Sequence, residues 1–133
     1  AEALFDVPVH SDSELPRRQR LEYYLATIER WAAGDAAIED TPPADDFLTS
    51  IDRWLTSLAA ESPSGSRVLA VTSAGVIAAL MCRVLNLPAK EIANLMGVSD
   101  NGSLTTILFS GKRLSLQGFN ASGHLARDNL SAI

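Results

Sequence analysis

The amino-acid sequence predicts an α/β fold in which helices flank a sheet. Three observations support this prediction: two amphipathic helical segments, a short apolar run followed at once by a helix-length segment, and two strand-like segments near the end. The chain has 133 residues, of which 47% are hydrophobic and 20% charged, a composition typical of one globular domain. We therefore expect a single domain over residues 1–133.

The first half of the chain contains two stripes of apolar residues at helical spacing. In residues 18–33 apolar side chains recur every three or four positions, and Gly34 follows as a candidate C-terminal cap. After a polar loop at 35–43, a second stripe runs over residues 47–58, and an Asp-Asp pair at 45–46 lies in its first turn, where the helix dipole favours acids. Both segments are predicted to be helices.

The second half opens with a short run of the kind found in buried parallel strands. Residues 67–71 are apolar and partly β-branched, and they follow a stretch rich in Ser, Pro and Gly, so we expect a buried central strand there. Residues 74–86 then have the length and composition of a helix. Pro88 suits the first turn of a further helix, which is expected to reach Met96 and to stop at Gly97.

The chain closes with two candidate strands. Residues 103–109 and 113–119 are separated by the connection 110–112, which contains glycine and has hairpin length. These two strands are expected to pair antiparallel. Residues 122–133 show little periodicity and are predicted to form an irregular or partly helical tail.

Composition excludes several classes of function. The net charge is −5 and the eleven Lys and Arg residues are scattered, which argues against nucleic-acid binding. One cysteine, Cys82, rules out an internal disulfide and suits the cytoplasm, and two histidines are too few for a Cys/His metal cluster. Polar residues interrupt the longest apolar stretch, 68–87, and the first residues do not resemble a signal peptide. We expect a cytoplasmic protein without metal, cofactor or membrane contact.

The junction between the predicted strand and the helix after it has the features of an anion site. Residues 68–80 place small side chains where open α/β sheets bind their ligands. The backbone N–H groups of a first helical turn have no intrahelical partners, so they can hold phosphate without any charged side chain. Ser73, Ala74 and Gly75 are therefore the candidate phosphate-binding residues.

The same junction resembles the histidine phosphatase (phosphoglycerate mutase-like) superfamily. The stretch Thr72-Ser-Ala-Gly75 occupies the place of that family's Ser-His-Gly-Gly, between an apolar strand and an Ile/Val-x-x-Leu helix start, so Ser73 stands where the family carries its second catalytic histidine. Three later stretches are similar to the family's closing helix-loop, its Asn-Gly-Ser strand and its terminal Asn-x-x-x-His-Leu: residues 85–88, 101–109 and 119–125.

The resemblance implies a particular architecture. The family has a three-layer, phosphoglycerate-mutase-like sheet flanked by helices, and its first strand leads into an Arg-His-Gly motif, which this sequence does not contain. The expected fold is therefore incomplete, and the missing strand would precede Ala1 in a longer protein. Within the domain, residues 1–43 are expected to form a helix and a variable insert, residues 44–125 the family-like core, and residues 126–133 a tail.

The resemblance also implies a chemistry. In the family, the Arg-His-Gly histidine attacks phosphorus, arginines and the second histidine hold the phosphoryl oxygens, and a carboxylate protonates the leaving oxygen. Asp6 is the candidate general acid, because Leu4-Phe-Asp-Val-Pro8 resembles a Leu-x-Glu-x-Pro stretch of the family; the alternative is a solvated Asp before a proline turn. The function implied is action on phosphate esters through a phosphohistidine, with this chain alone inactive and phosphatase or mutase activity left open.

Other interpretations of the same residues remain. Ser73 and Gly75 also fit a tight turn with a serine N-cap. Ser73, Asp100 and His124 follow the chain order of a serine hydrolase triad, although His124 also fits a tail-packing role. A third interpretation is a non-catalytic pseudophosphatase or an oligomeric interaction domain. Because a sheet without its central strand would expose apolar edges, a homo-oligomer is the expected partner state, beside a phosphorylated small molecule or phosphate ion.

Overall fold

The computed structural model describes residues 16–131, which form four α-helices, a two-stranded antiparallel sheet and a short 3-10 turn. The helices are α1 (Arg17–Ala32), α2 (Ala44–Glu61), α3 (Ala74–Leu85) and α4 (Glu91–Val98); the strands are β1 (Leu104–Ser110) and β2 (Arg113–Ala121); and the 3-10 turn is Arg127–Asn129. This arrangement is consistent with an incomplete α/β fold.

Helix α1 ends as the sequence predicts. Gly34 has a positive φ of 78°, a conformation that costs glycine little. Its N–H donates to the Trp31 carbonyl at 3.0 Å, and the Asp35 N–H donates to the Arg30 carbonyl at 2.9 Å. These two bonds are those of a Schellman motif, so the prediction of Gly34 as a cap is confirmed.

Helix α4 differs from its prediction at both ends. It begins at Glu91 because the carbonyls of Pro88 and Ala89 accept from the N–H groups of Glu91 and Ile92, which makes the approach a tighter turn. Gly97 lies inside the helix, so the expectation that the helix stops there is wrong. A Cβ at Gly97 would lie 3.1 Å from Leu25 Cδ1, and the residue instead permits close packing of α4 on α1.

Residues 67–71 do not form the buried central strand that the sequence predicts. The stretch from 66 to 73 has no regular secondary structure, and Leu69 and Val71 are 83% and 94% exposed. A strand requires backbone hydrogen bonds to a neighbouring strand. Nothing in residues 16–131 supplies such a neighbour at this segment, and the prediction is corrected accordingly.

The predicted hairpin is confirmed. β1 and β2 pair antiparallel, with Phe109 opposite Leu114 and Ser110 opposite Arg113 across a tight turn that contains Gly111. The pairing is irregular between Leu104 and Ile107.

The core consists of two neighbouring clusters of buried side chains. The first joins all four helices and includes Trp31, whose ring meets that of Phe47 edge-on at 5.7 Å. The second joins α2 and α3 to the inner face of the hairpin and includes the fully buried Met81. Phe47 and Leu48 pack against both clusters. One face of the sheet is thus covered by helices, and the start of α3 lies beside this core.

Candidate functional site

Ser73 lies at the N-cap of α3, where the sequence predicts the turn. Its backbone is extended (φ −94°, ψ 163°), its side chain is exposed, and its hydroxyl makes no capping hydrogen bond. Its carbonyl accepts the first intrahelical bond, from the Ile77 N–H at 3.1 Å. The interpretation of Ser73 as a side-chain N-cap is therefore wrong, and the hydroxyl faces solvent without a protein partner among the described residues.

The amides that follow Ser73 are free to bind an acceptor. The N–H groups of Ala74, Gly75 and Val76 precede the first intrahelical bond, and they donate to no backbone group of residues 16–131. All three residues are half-buried against the core. The start of α3 therefore presents a solvent-facing hydroxyl next to several unpaired N–H donors at the positive end of a helix dipole.

Steric crowding does not require a glycine at position 75. A Cβ at Gly75 would lie 3.9 Å from the Sδ and Cε atoms of Met96, which is ordinary van der Waals contact, and its φ is not positive. Alanine would fit the same space. This observation makes Gly75 a convenient position for testing the site without disturbing the packing.

Arg83 forms an ion pair away from the Ser73 turn. Its guanidinium pairs with the Asp52 carboxylate across α2 and α3, on the solvent side of both helices. It also lines an open pocket together with Leu48, Cys82, Asn86 and Leu87, near the C-terminal end of α3. This cation therefore lies at the opposite end of α3 from Ser73.

The Asn-x-x-x-His stretch has a structural role. Asn120, at a φ of 53°, accepts from the Asp100 N–H at 2.8 Å and donates to the Val98 carbonyl at 2.7 Å. His124 Nε2 lies 2.8 Å from the Gly102 carbonyl oxygen. These bonds hold the α4–β1 loop against the end of β2. His124 is thus a tail-packing residue, and the importance of Asn120 was missed in the sequence, where its only signal was its place in the family-like stretch.

The serine hydrolase interpretation loses support from this geometry. A nucleophile elbow places its serine on a strained turn, whereas the Ser73 backbone is in an ordinary extended conformation. His124 Nε2 contacts a backbone carbonyl, and Asp100 is bound through its N–H to Asn120.

Cys82 is not a candidate nucleophile. It is only 3% exposed, and its Sγ lies 3.7 Å from the Pro88 carbonyl oxygen. Burial, and secondarily the negative charge of Glu91, raise the pKa of the Cys82 thiol. The thiolate that a nucleophile requires is therefore disfavoured.

The remaining expectations concern the general acid, a metal site and a membrane-spanning helix. Asp6, the candidate general acid, lies outside the described residues. Across 16–131, no three or more His, Cys, Asp or Glu side chains are grouped so that they could hold a metal ion. In the same range, no helix combines the length and apolar character needed to cross a bilayer.

Comparison with known proteins identifies the family. Residues 11–122 match the family model of the histidine phosphatase superfamily (branch 1). A search of curated proteins and a search of solved structures gave no match. The matched range contains the family-like stretches at 72–75, 85–88 and 101–109, and it ends within the stretch at 119–125. The chain belongs to the histidine phosphatase superfamily.

Proposed function

We propose that the chain is part of a protein that acts on phosphate esters through a phosphohistidine, and that Ser73, Ala74 and Gly75 hold the phosphoryl group. The observation behind this proposal is the start of α3, where the exposed Ser73, whose hydroxyl makes no capping bond, is followed by residues with unpaired N–H groups. In the family-like order of motifs, this is the place of the second catalytic histidine.

Serine in this place changes what the turn contributes. An imidazolium donates a charged hydrogen bond, which is roughly twice as strong as a neutral one. The Ser73 hydroxyl donates one neutral bond, so most of the anion stabilisation falls to the helix N–H groups and the dipole. The proposed pocket therefore binds phosphate more weakly than a pocket with histidine, unless a second cation reaches it.

The 133 residues do not include an Arg-His-Gly histidine that could attack phosphorus. We therefore expect this chain alone to bind phosphate without transferring it. In the active arrangement that the family implies, the carboxyl of Asp6 would protonate the leaving oxygen. Transfer to water would make the protein a hydrolase, and transfer to a second hydroxyl would make it an isomerase. The expected location is the cytoplasm.

Binding is tested by removing one donor without disturbing the helix. Ala74→Pro deletes an N–H that makes no intrahelical bond, at the helical position that proline prefers, and the extended Ser73 is a suitable residue to precede it. Gly75→Ala is the matched control, since it keeps every N–H and fits the space. In a titration with inorganic phosphate followed by amide NMR shifts, we expect Ala74→Pro to weaken binding several-fold and Gly75→Ala to leave it unchanged. Equal affinities in the two variants would exclude the turn as the binding site.

Activity is tested with p-nitrophenyl phosphate. The chain is expected to release no phosphate above background. Clear turnover that disappears in Ser73→Ala would show that Ser73 itself is a nucleophile and would refute the proposed mechanism.

A non-catalytic binding or interaction domain is the second proposed function, and the exposed segment 67–71 favours it. Such a domain would bind phosphate at the same turn without forming a phosphohistidine. Turnover gained when a polypeptide bearing an Arg-His-Gly strand is added would favour the enzyme, and phosphate binding without such a gain would favour the second function.

A further inference from the structure

The loop between α4 and β1 contains an asparagine followed by a glycine in a tight turn. The Ser103 N–H donates to the Asp100 carbonyl at 3.2 Å, which places Asn101 and Gly102 at the two central positions of the turn. Gly102 has a φ of 76° and the φ of Asn101 is not positive, the pattern of a type II turn. Both central residues are exposed. Water therefore reaches the peptide bond between them.

These two residues hold the tail of the chain, residues 122–131. The Asn101 N–H donates to the Ser131 carbonyl at 2.8 Å, and Asn101 Nδ2 donates to Ser131 Oγ at 3.2 Å. The Gly102 carbonyl oxygen lies 2.8 Å from His124 Nε2. The position of the tail therefore depends on the chemical state of this Asn-Gly pair.

The backbone nitrogen of Gly102 is available as a nucleophile. Among residues 16–131, its N–H donates to no acceptor. Glycine has no Cβ that would hinder the approach of the preceding side chain. Attack of this nitrogen on the side-chain amide of the preceding asparagine closes a five-membered ring, a reaction that contributes to the thermal lability of asparagine in proteins.

From these observations we propose that Asn101 is a site of deamidation and that its reaction releases the tail. The Gly102 nitrogen forms a bond to Asn101 Cγ, the Cγ–Nδ2 bond breaks, and the amide nitrogen leaves as ammonia with the proton of the Gly102 N–H. Water then opens the resulting succinimide. Attack of water at Cγ gives aspartate, and attack at the main-chain carbonyl carbon gives isoaspartate.

The docked tail restrains this reaction. Ring closure requires Asn101 Cγ to approach the Gly102 nitrogen, whereas the hydrogen bond from Nδ2 holds the amide group at Ser131 Oγ. The amide must leave Ser131, and the turn must relax, before the ring can form. The rate of deamidation is therefore set in part by the opening of the tail.

The products bind the tail less well than asparagine does. Both lose the N–H donor that contacts Ser131 Oγ. Both also add a negative charge next to the carboxylate of Asp100, and like charges repel. Isoaspartate in addition lengthens the main chain, which displaces the Gly102 carbonyl from His124. Deamidation thus makes a reversible opening of the tail irreversible.

Tandem mass spectrometry of peptides tests the site. After incubation of the folded chain at mildly alkaline pH, we expect position 101 to gain one mass unit several-fold faster than position 120. Asn120 is the internal control, because its side chain makes two hydrogen bonds and alanine follows it. Aspartate and isoaspartate are both expected at 101. Asn101→Gln cannot close the five-membered ring and should show no change there. Equal rates at positions 101 and 120 would overturn the proposed site.

Two serine variants test the restraint by the tail. Ser131→Ala removes the acceptor of Asn101 Nδ2 and is expected to speed deamidation several-fold. Ser122→Ala is the matched control, since the Ser122 hydroxyl makes no hydrogen bond among residues 16–131, and it should leave the rate unchanged. Equal rates in the two variants would overturn the restraint.

Hydrogen exchange tests the release. Anion-exchange chromatography isolates the deamidated chain, which carries one more negative charge than the unmodified chain. Its amides at Leu125 and Asn129, which donate to carbonyls within the tail, are expected to exchange faster than in the unmodified chain. The amide of the fully buried Met81 serves as the control and should be unaffected. Unchanged exchange at Leu125 and Asn129 would refute the release of the tail.

Discussion

At the scale of single residues, Asn120 connects three parts of the chain. Its side chain binds both Val98 and Asp100, and its own N–H donates to Thr105 Oγ1 at 3.2 Å. It also adopts a left-handed backbone conformation that asparagine tolerates better than most residues. These properties make Asn120 the residue on which the α4–β1 loop depends.

We expect Asn120→Ala to lower the free energy of unfolding by about 2–4 kcal/mol, because it removes two hydrogen bonds and strains the backbone. Urea unfolding measures the change. Asn120→Gly loses the same side-chain bonds but accepts the positive φ, so it is expected to recover part of the loss. An Ala variant as stable as the Gly variant would mean that the left-handed backbone contributes nothing.

Desolvation of the buried Cys82 and of the part of Tyr24 that packs against the protein affects the response to alkaline pH. Partial desolvation raises the pKa of Tyr24, which is 39% exposed, and burial together with the negative charge of Glu91 raises the pKa of Cys82. The folded chain therefore keeps protons that the unfolded chain releases, so the stabilisation from both groups is present below their unfolded pKa values and declines as pH rises through them. Urea unfolding is expected to show lower stability at pH 10 than at pH 7. In Cys82→Ala the difference should shrink, and an unchanged difference would exclude the thiol as a contributor.

The sequence alone predicts the role of a residue when the partners of that residue are close to it along the chain. Gly34 was predictable as a cap because the motif that uses it is local, spanning residues 30–35. The role of Asn120 was not, because its partners lie about twenty residues earlier in the chain and meet it only after folding. The free hydroxyl of Ser73 was also unpredictable, since a serine before a helix is more often a cap.

At the scale of helices, two glycines occupy different environments. Gly75 lies in the first turn of α3, where an added methyl group would meet its neighbours at ordinary contact distances, and Gly97 lies within α4 against Leu25. Both have helical backbones, where alanine is favoured over glycine by about 1 kcal/mol. Packing therefore decides the effect of adding a methyl group.

We expect Gly75→Ala to be neutral or to raise stability by up to about 1 kcal/mol, and Gly97→Ala to lower it by about 1 kcal/mol because the methyl crowds Leu25 Cδ1. Thermal unfolding of both variants measures the difference. In a double-mutant cycle, Leu25→Ala should relieve the cost of Gly97→Ala, and simple additivity of the two changes would show that this contact is not its source.

Elements differ in how far local sequence specifies them. Helices α1 and α2 follow from the periodicity of their own apolar residues, and the hairpin follows from two apolar runs around a glycine turn. The segment 67–71 has equally strong strand composition but no strand in the structure. Its conformation depends on a neighbouring strand, which composition cannot supply.

At the scale of the whole molecule, the two buried clusters form one packing unit. Phe47 and Leu48 of α2 and Leu95 of α4 contact both clusters, so the helices and the hairpin share side chains. Sharing of this kind couples the stability of distant parts. The hairpin is therefore not expected to unfold independently of α1.

Leu48→Ala tests this coupling. Loss of a partly buried leucine is expected to lower the free energy of unfolding by about 2 kcal/mol, and to do so equally for amides in α1 and in β1, because all of them exchange through one cooperative opening. Native-state hydrogen exchange at Ile28 and Ile107 measures both. Leu108→Ala, on the half-exposed outer face of the hairpin, is the matched control and should change either value by less than about 0.5 kcal/mol. A loss of protection confined to one of the two amides would show that the clusters unfold separately, and the Ser73 turn, which lies beside both of them, would then owe its geometry to one cluster alone.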